Sequence, residues 1–587
     1  MSQPTPSLEQ RVEQLEQQVA ELQQSVQHLY SSHKLPSKSR QPLSKRQPAT
    51  GGSEEILSWV DKSLILPRLA STSFIVVVAL ALRTSVENGL FDRELGSFLG
   101  MLYAIGLIVY GWFAYRRQNM QAPVFTLWGT IVICSVVVEA HRVFASVPAE
   151  LAYLILAATG AVTTIMSRTN QVALPVFCGT LGMSFGAFAI DYPSPHFPYL
   201  TLVIILANVF GAYATSLLRA SWLRWVLLVL TLFMIQIWDL KLAIYLSKLQ
   251  PDQLDVTISG FFPAISLLLL AYVIVAFLGV RGFLQEKVSK FDISLPIVST
   301  LWFALAGSYA TRLGLAEPYL FGWLGALGGI LMLALGFWLL KAAAGGALGT
   351  VSFCFAGGLL LLFSLPSALG HSLIAYALCS LLALIIGRLA LRHNCSTLRL
   401  CSYLLQMAAC TALVVTLSAS ELYQPSLVGA VSSGVLAIIA FTHYAWARAN
   451  PFLTANSFVD KLNQNDRWGG FLLISALLSG FFTCRVGLYQ VLDFMHMAKP
   501  SYFAGAQSVM INLSAAALLL FGYFRRNKEL RNVAIIITVI GGAKVFVFDM
   551  VSLKGISLMA GVFSFGLVAA LGSFVLGRWN KANPSPD

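Results

Sequence analysis

The chain has 587 residues, of which 57% are hydrophobic and 11% charged, with a mean hydropathy of +0.73. Soluble domains carry about 25% charged residues, so a water-soluble globular fold is excluded. The formal net charge is +13, yet residues 1–63 hold seven basic and seven acidic side chains; the whole excess sits in the apolar part, and no nucleic-acid partner is implied.

Residues 1–55 lack the apolar core of a signal peptide. Instead Leu8, Val12, Leu15, Val19, Leu22, Val26 and Leu29 recur at alternating spacings of four and three. Valine at a and leucine at d is the pattern of a parallel two-stranded coiled coil, and Arg11 at g can reach Glu16 at e of a partner chain. A polar face of Gln and Glu rather than Lys argues against adsorption on lipid. The expected partner is a second copy or another protein. Residues 31–63 read as a basic linker and juxtamembrane segment. Pro36, Pro42, Pro48, Gly51 and Gly52 keep its first part solvated, and its basic residues can lean on anionic headgroups.

Residues 64–579 are a succession of apolar runs, each near the roughly 20 residues that a spanning helix needs. They predict an all-α polytopic domain of 18 transmembrane helices, centred near residues 75, 105, 133, 158, 181, 208, 234, 270, 302, 330, 356, 381, 407, 436, 481, 513, 540 and 566, before a short tail at 580–587. Even-numbered loops carry 19 Lys/Arg and odd-numbered loops nine. Under the positive-inside rule that alternation places both termini in the cytoplasm.

The eight cysteines avoid the predicted outer loops and form no CxxC, so free thiols are expected. His393, Cys395 and Cys401 share one cytoplasmic turn, a weak metal signal, and neither metal nor cofactor is expected. No Walker A or HExxH motif occurs.

Ionisable groups inside a bilayer are costly and usually face a bundle interior or a wet cavity. Here they lie on spans that run outward: Arg83 and Glu87, Glu139 and Arg142, Asp239 and Lys241, Arg312 and Glu317, Arg485, Lys544 and Asp549. They are expected to converge on a polar pocket in the outer half of the bundle. Arg83–Glu87 and Glu139–Arg142 have helix-face spacing, whereas Asp239–Lys241 and Lys544–Asp549 are poorly spaced for pairing within one helix. Arg83, Arg312 and Lys544 follow at nearly equal intervals, as do Glu87, Glu317 and Asp549. This suggests two parallel eight-span repeats plus a final hairpin, an arrangement used by transporters.

Three segments carry a family resemblance: LRTSVENGLFDRELGSFLG (82–100), SRTNQVALPVFCGTLGMSFGAF (167–188) and the stretch from Lys528 to Trp579 with its Lys-Val-Phe-Val-Phe-Asp core. They resemble the bacterial membrane proteins grouped as "domain of unknown function 2339", which join an N-terminal heptad helix and a linker to a long array of spans. Met559 departs from the pattern, where an Arg is expected. The resemblance implies a bacterial cytoplasmic-membrane protein and points to Arg83, Glu87, Lys544 and Asp549, but to no chemistry.

Three functional classes follow. The leading one is transport or flipping of an anionic or amphipathic envelope substrate through the polar pocket. The second is a non-catalytic scaffold organised by the coiled coil, and the third a membrane-embedded transferase using the acids Glu87, Asp92 and Glu94.

Overall fold

In the computed structural model the described residues are 65–582, apart from 193–194, 219–221, 249–259, 283–288, 315–316, 343–347, 394, 420–426, 451–466 and 498. The heptad segment and the basic linker therefore lie outside the described residues. So does the tail beyond Ala582.

Among the described residues eighteen helices follow one another and there is no strand. They are α1 (Ile65–Glu87), α2 (Arg93–Arg116), α3 (Ala122–Arg142), α4 (Ala149–Asn170), α5 (Leu174–Asp191) and α6 (Phe197–Leu218). Next come α7 (Trp222–Lys248), α8 (Phe261–Gly282), α9 (Lys290–Arg312), α10 (Pro318–Ala342), α11 (Leu348–Leu369) and α12 (Ser372–Arg392). The last six are α13 (Ser396–Ala419), α14 (Leu427–Ala449), α15 (Arg467–Phe494), α16 (Pro500–Phe524), α17 (Lys528–Ser552) and α18 (Ile556–Ala582). Seventeen are long and apolar enough to cross a membrane. Each of the 18 expected centres falls in its own helix.

Local chemistry sets the boundaries. Pro123, Pro175 and Pro500 stand in the first turns of α3, α5 and α16, where a missing N–H costs nothing. Asn527 caps α17 by accepting from the backbone N–H of Glu529 and Leu530. Four turns, α1–α2, α9–α10, α11–α12 and α17–α18, close on glycines with φ of 74°, 73°, 68° and 68°: Gly89, Gly314, Gly370 and Gly555.

Extensive packing runs between helices one or two places apart in the chain, so the bundle is a sequential array. The closest hairpin is α10–α11. A Cβ at Gly322 would lie 2.1 Å from the Ala368 backbone nitrogen, and one at Gly329 would lie 3.0 Å from the Gly357 carbonyl. Between helices in lipid there is no hydrophobic drive, and small residues that admit close backbone approach supply the attraction.

Candidate functional site

A groove of about 920 Å³ lies between α3 and α5, with Arg83 of α1 at one end and Trp222 of α7 at the other. Its α3 wall runs from Leu127 to Val143, about 24 Å at 1.5 Å per residue, against a hydrocarbon core of roughly 30 Å. Most of the lining is apolar: Leu127, Ile131, Val138, Leu174, Phe177, Leu181 and Phe185. Gly182 and Gly186 keep α5 close to its neighbours, since a Cβ at Gly182 would stand 3.0 Å from the Cys134 sulfur. Phe177 stacks on Trp222 at 4.2 Å and closes the far end. A polar strip on α3, Thr130, Ser135, Glu139 and Arg142, runs along the groove to its charged mouth.

At that mouth the Arg83 Nε donates to Glu87 Oε1 at 2.9 Å and faces Glu139 Oε1 at 3.2 Å. Arg83 and Glu139 also line a second cavity of about 220 Å³ between α1, α2 and α3, so their pair partitions the two spaces. Arg142 donates to the Ala189 carbonyl at 3.2 Å, tying α3 to the end of α5. Lys241 of α7 lies within the field of Arg142 and Asp191, its Nζ 3.9 Å above the Tyr192 ring and 4.5 Å above Trp238. Asp191 is fully buried and accepts from the Tyr153 hydroxyl at 3.1 Å and the His196 N–H at 2.6 Å. Asp239, also buried, accepts from the Gln236 amide at 3.2 Å.

A separate centre lies in the last three helices. The stretch Lys544–Asp549 of α17 is a π-turn. Lys544 Nζ donates to Asp549 Oδ1 at 2.9 Å, to the Ala504 carbonyl at 3.1 Å and to the Ser508 hydroxyl. Ser508 in turn donates to the second Asp549 oxygen. One helical turn along α16, Asn512 donates to Ser564 at 2.8 Å, continuing a polar seam onto α18. A spacing of five residues is poor for pairing within an α-helix. A π-turn, with its i→i+5 bonding, puts residues five apart on one face, and that is the correction.

The single pocket expected from sequence is therefore divided. Arg83, Glu87, Glu139, Arg142 and Lys241 gather around α1, α3, α5 and α7, and Asp239 is buried on α7 against Gln236. Lys544 and Asp549 pair on α17. Arg485 stacks on Phe482 and Phe503, each 5.7 Å from its guanidinium carbon. Arg312 and Glu317 are exposed at the α9–α10 turn. Sequential packing keeps α15 and α17 away from α1 and α3, so charges on the two ends of the array do not meet.

Several residues escaped sequence reading. Asp191 ends an odd-numbered helix as Glu87 and Glu139 do, and the same rule would have found it. Arg224 and Arg399 were counted as loop charge. In the structure Arg224 pairs with the fully buried Asp292 at 2.5 Å, and buried Arg399 donates to the Tyr403 hydroxyl and the Ala447 carbonyl. Among the described residues all eight cysteines are free, and no group of three His, Cys, Asp or Glu side chains is placed to hold a metal.

Comparison with family models, curated proteins and solved structures finds no match for this chain.

Proposed function

We propose that the protein is an 18-span polytopic protein of a bacterial cytoplasmic membrane, both termini cytoplasmic, that binds an amphipathic envelope lipid with a phosphate-bearing head and moves it along the α3–α5 groove. The observation that carries this reading is the groove itself: about 920 Å³, apolar along its length and charged at one mouth by Arg83, Glu139 and Arg142. An acyl chain leaving the bilayer for such a groove gains little hydrophobic energy, because lipid tails are as apolar as leucine. Selection falls to the head. A phosphate about 4 Å from a guanidinium at a half-exposed site gains about 4 kcal/mol of Coulomb attraction before desolvation. The family resemblance and the 19-to-9 split of loop charge support the topology, and the near-equal spacing of Arg83, Arg312 and Lys544 supports the duplicated plan. The heptad helix supports dimerisation through residues 8–29.

The test is a vesicle assay with acyl-labelled phospholipid and the full-length protein. Ser135→Trp, which fills the groove midway along α3, should stop transbilayer movement and photo-crosslinking to α5. Unchanged movement in that variant would overturn the reading.

A second reading, a scaffold without substrate, is favoured by the pairing of charges elsewhere: Arg224–Asp292, Arg448–Glu529 and Lys544–Asp549 are closed ion pairs. It predicts that the groove holds no specific lipid.

A further inference from the structure

We propose that the groove mouth recognises a zwitterionic phospholipid head bearing a primary amine, the phosphoethanolamine class. This rests on the lipid-groove reading and goes further by naming the head. The groove wall presents charge in alternation. Glu139 stands between Arg83, 3.2 Å away across the helix interface, and Arg142, three residues on along α3. Residues three apart on a helix are neighbours, about 5–6 Å between Cβ atoms. The charged groups lining the mouth are Arg83, Glu139 and Arg142, with Glu87 paired to Arg83 behind them, so a carboxylate stands between the two lining guanidiniums. A purely anionic head placed on Arg142 therefore meets the carboxylate of Glu139 at close range, and like charges oppose binding. A head whose phosphate and ammonium are joined by a short bridge satisfies both groups at once.

The amine is primary for a second reason. A carboxylate has room for several hydrogen bonds, and Arg83 divides its own between Glu87 and Glu139. Glu139 thus keeps acceptor capacity on the groove side, where its side chain is 21% exposed. Ser135, one turn below, adds a hydroxyl to the same strip. Three N–H donors can use these acceptors. A quaternary ammonium has none and asks for a cage of aromatic faces, whereas the α3 wall beside Glu139 offers Ser135, Val138 and Val143, with Phe185 on the α5 wall.

The experiment uses the full-length protein in phosphatidylcholine vesicles doped with one of three lipids carrying a photoreactive acyl chain: phosphatidylethanolamine, phosphatidylcholine or phosphatidylglycerol. Crosslinks to the α5 segment around Phe185 are counted by mass spectrometry. A charge-assisted hydrogen bond to Glu139 predicts about tenfold more labelling by the ethanolamine lipid than by the other two. Glu139→Gln should remove the preference, and Glu139→Asp should restore part of it, which separates recognition from folding. Equal or greater labelling by phosphatidylglycerol in the native protein would overturn the amine assignment while leaving the lipid groove standing. Absence of α5 labelling by every lipid would overturn both.

Discussion

Lys544 and Asp549 lie five residues apart in one helix, yet Nζ and Oδ1 meet at 2.9 Å because the segment between them is a π-turn. The pair also holds α16, through the Ala504 carbonyl and the Ser508 hydroxyl. Three acceptors around one ammonium relieve the cost of a charge below the helix end. This centre locks the last three helices together.

Removing one partner leaves a buried charge uncompensated, at a cost of about 3–5 kcal/mol. Lys544→Met should therefore lower the melting temperature of the purified protein sharply, because Asp549 is 2% exposed. The double variant Lys544→Met/Asp549→Leu should recover part of the loss. A single variant that melts like the native protein would show that the pair is not structural.

Not every ion pair matters equally, and burial decides. Arg83 and Glu87 are about half exposed, so Glu87→Gln should change stability by less than about 1 kcal/mol. Arg224→Met strands the fully buried Asp292 and should cost about 3–5 kcal/mol. Thermal melts of the two variants side by side check the ranking, and equal shifts would contradict it.

The α10–α11 hairpin depends on close backbone approach. Gly329→Val places methyl groups against Leu361 and the Gly357 carbonyl, and overpacking of this kind costs about 1–3 kcal/mol or more. Ala at Gly106, where a Cβ meets nothing within 4 Å, should be neutral. Expression level and detergent melting of both variants measure the contrast.

Topology and self-association rest on sequence and have their own checks. Reporters that fluoresce only in the cytoplasm should stay dark when fused after Pro193 or Gln424 and glow at the C-terminus. Leu15→Asp with Leu22→Asp should abolish crosslinking between N-terminal segments, since both occupy the apolar seam of the heptad pattern.

The helices were legible because a spanning segment must satisfy its own backbone and bury in lipid, which writes a run of some 20 apolar residues into the chain. Among the charges, Arg83 pairs with Glu87 and Glu139, while Arg142 lines the same groove and bonds the Ala189 carbonyl. What they enclose was not legible. The groove depends on which helices are neighbours, and apolar helices with similar faces carry little of that information. The π-turn was hidden because VFVF between Lys544 and Asp549 reads as ordinary helix. Asp191 was overlooked at the end of a span whose partner, Tyr153, lies on α4, and Arg224 and Arg399 passed as loop charge because their acceptors belong to other helices.

The most direct measurement of the central claim is a cryo-electron-microscopy map of the full-length protein in nanodiscs of native lipid. The account predicts elongated lipid density lying between α3 and α5, its head against Arg142 and Glu139 and its tail reaching toward Phe177 and Trp222. A groove filled by protein side chains, or holding no more lipid than the rest of the bundle's surface, would contradict it.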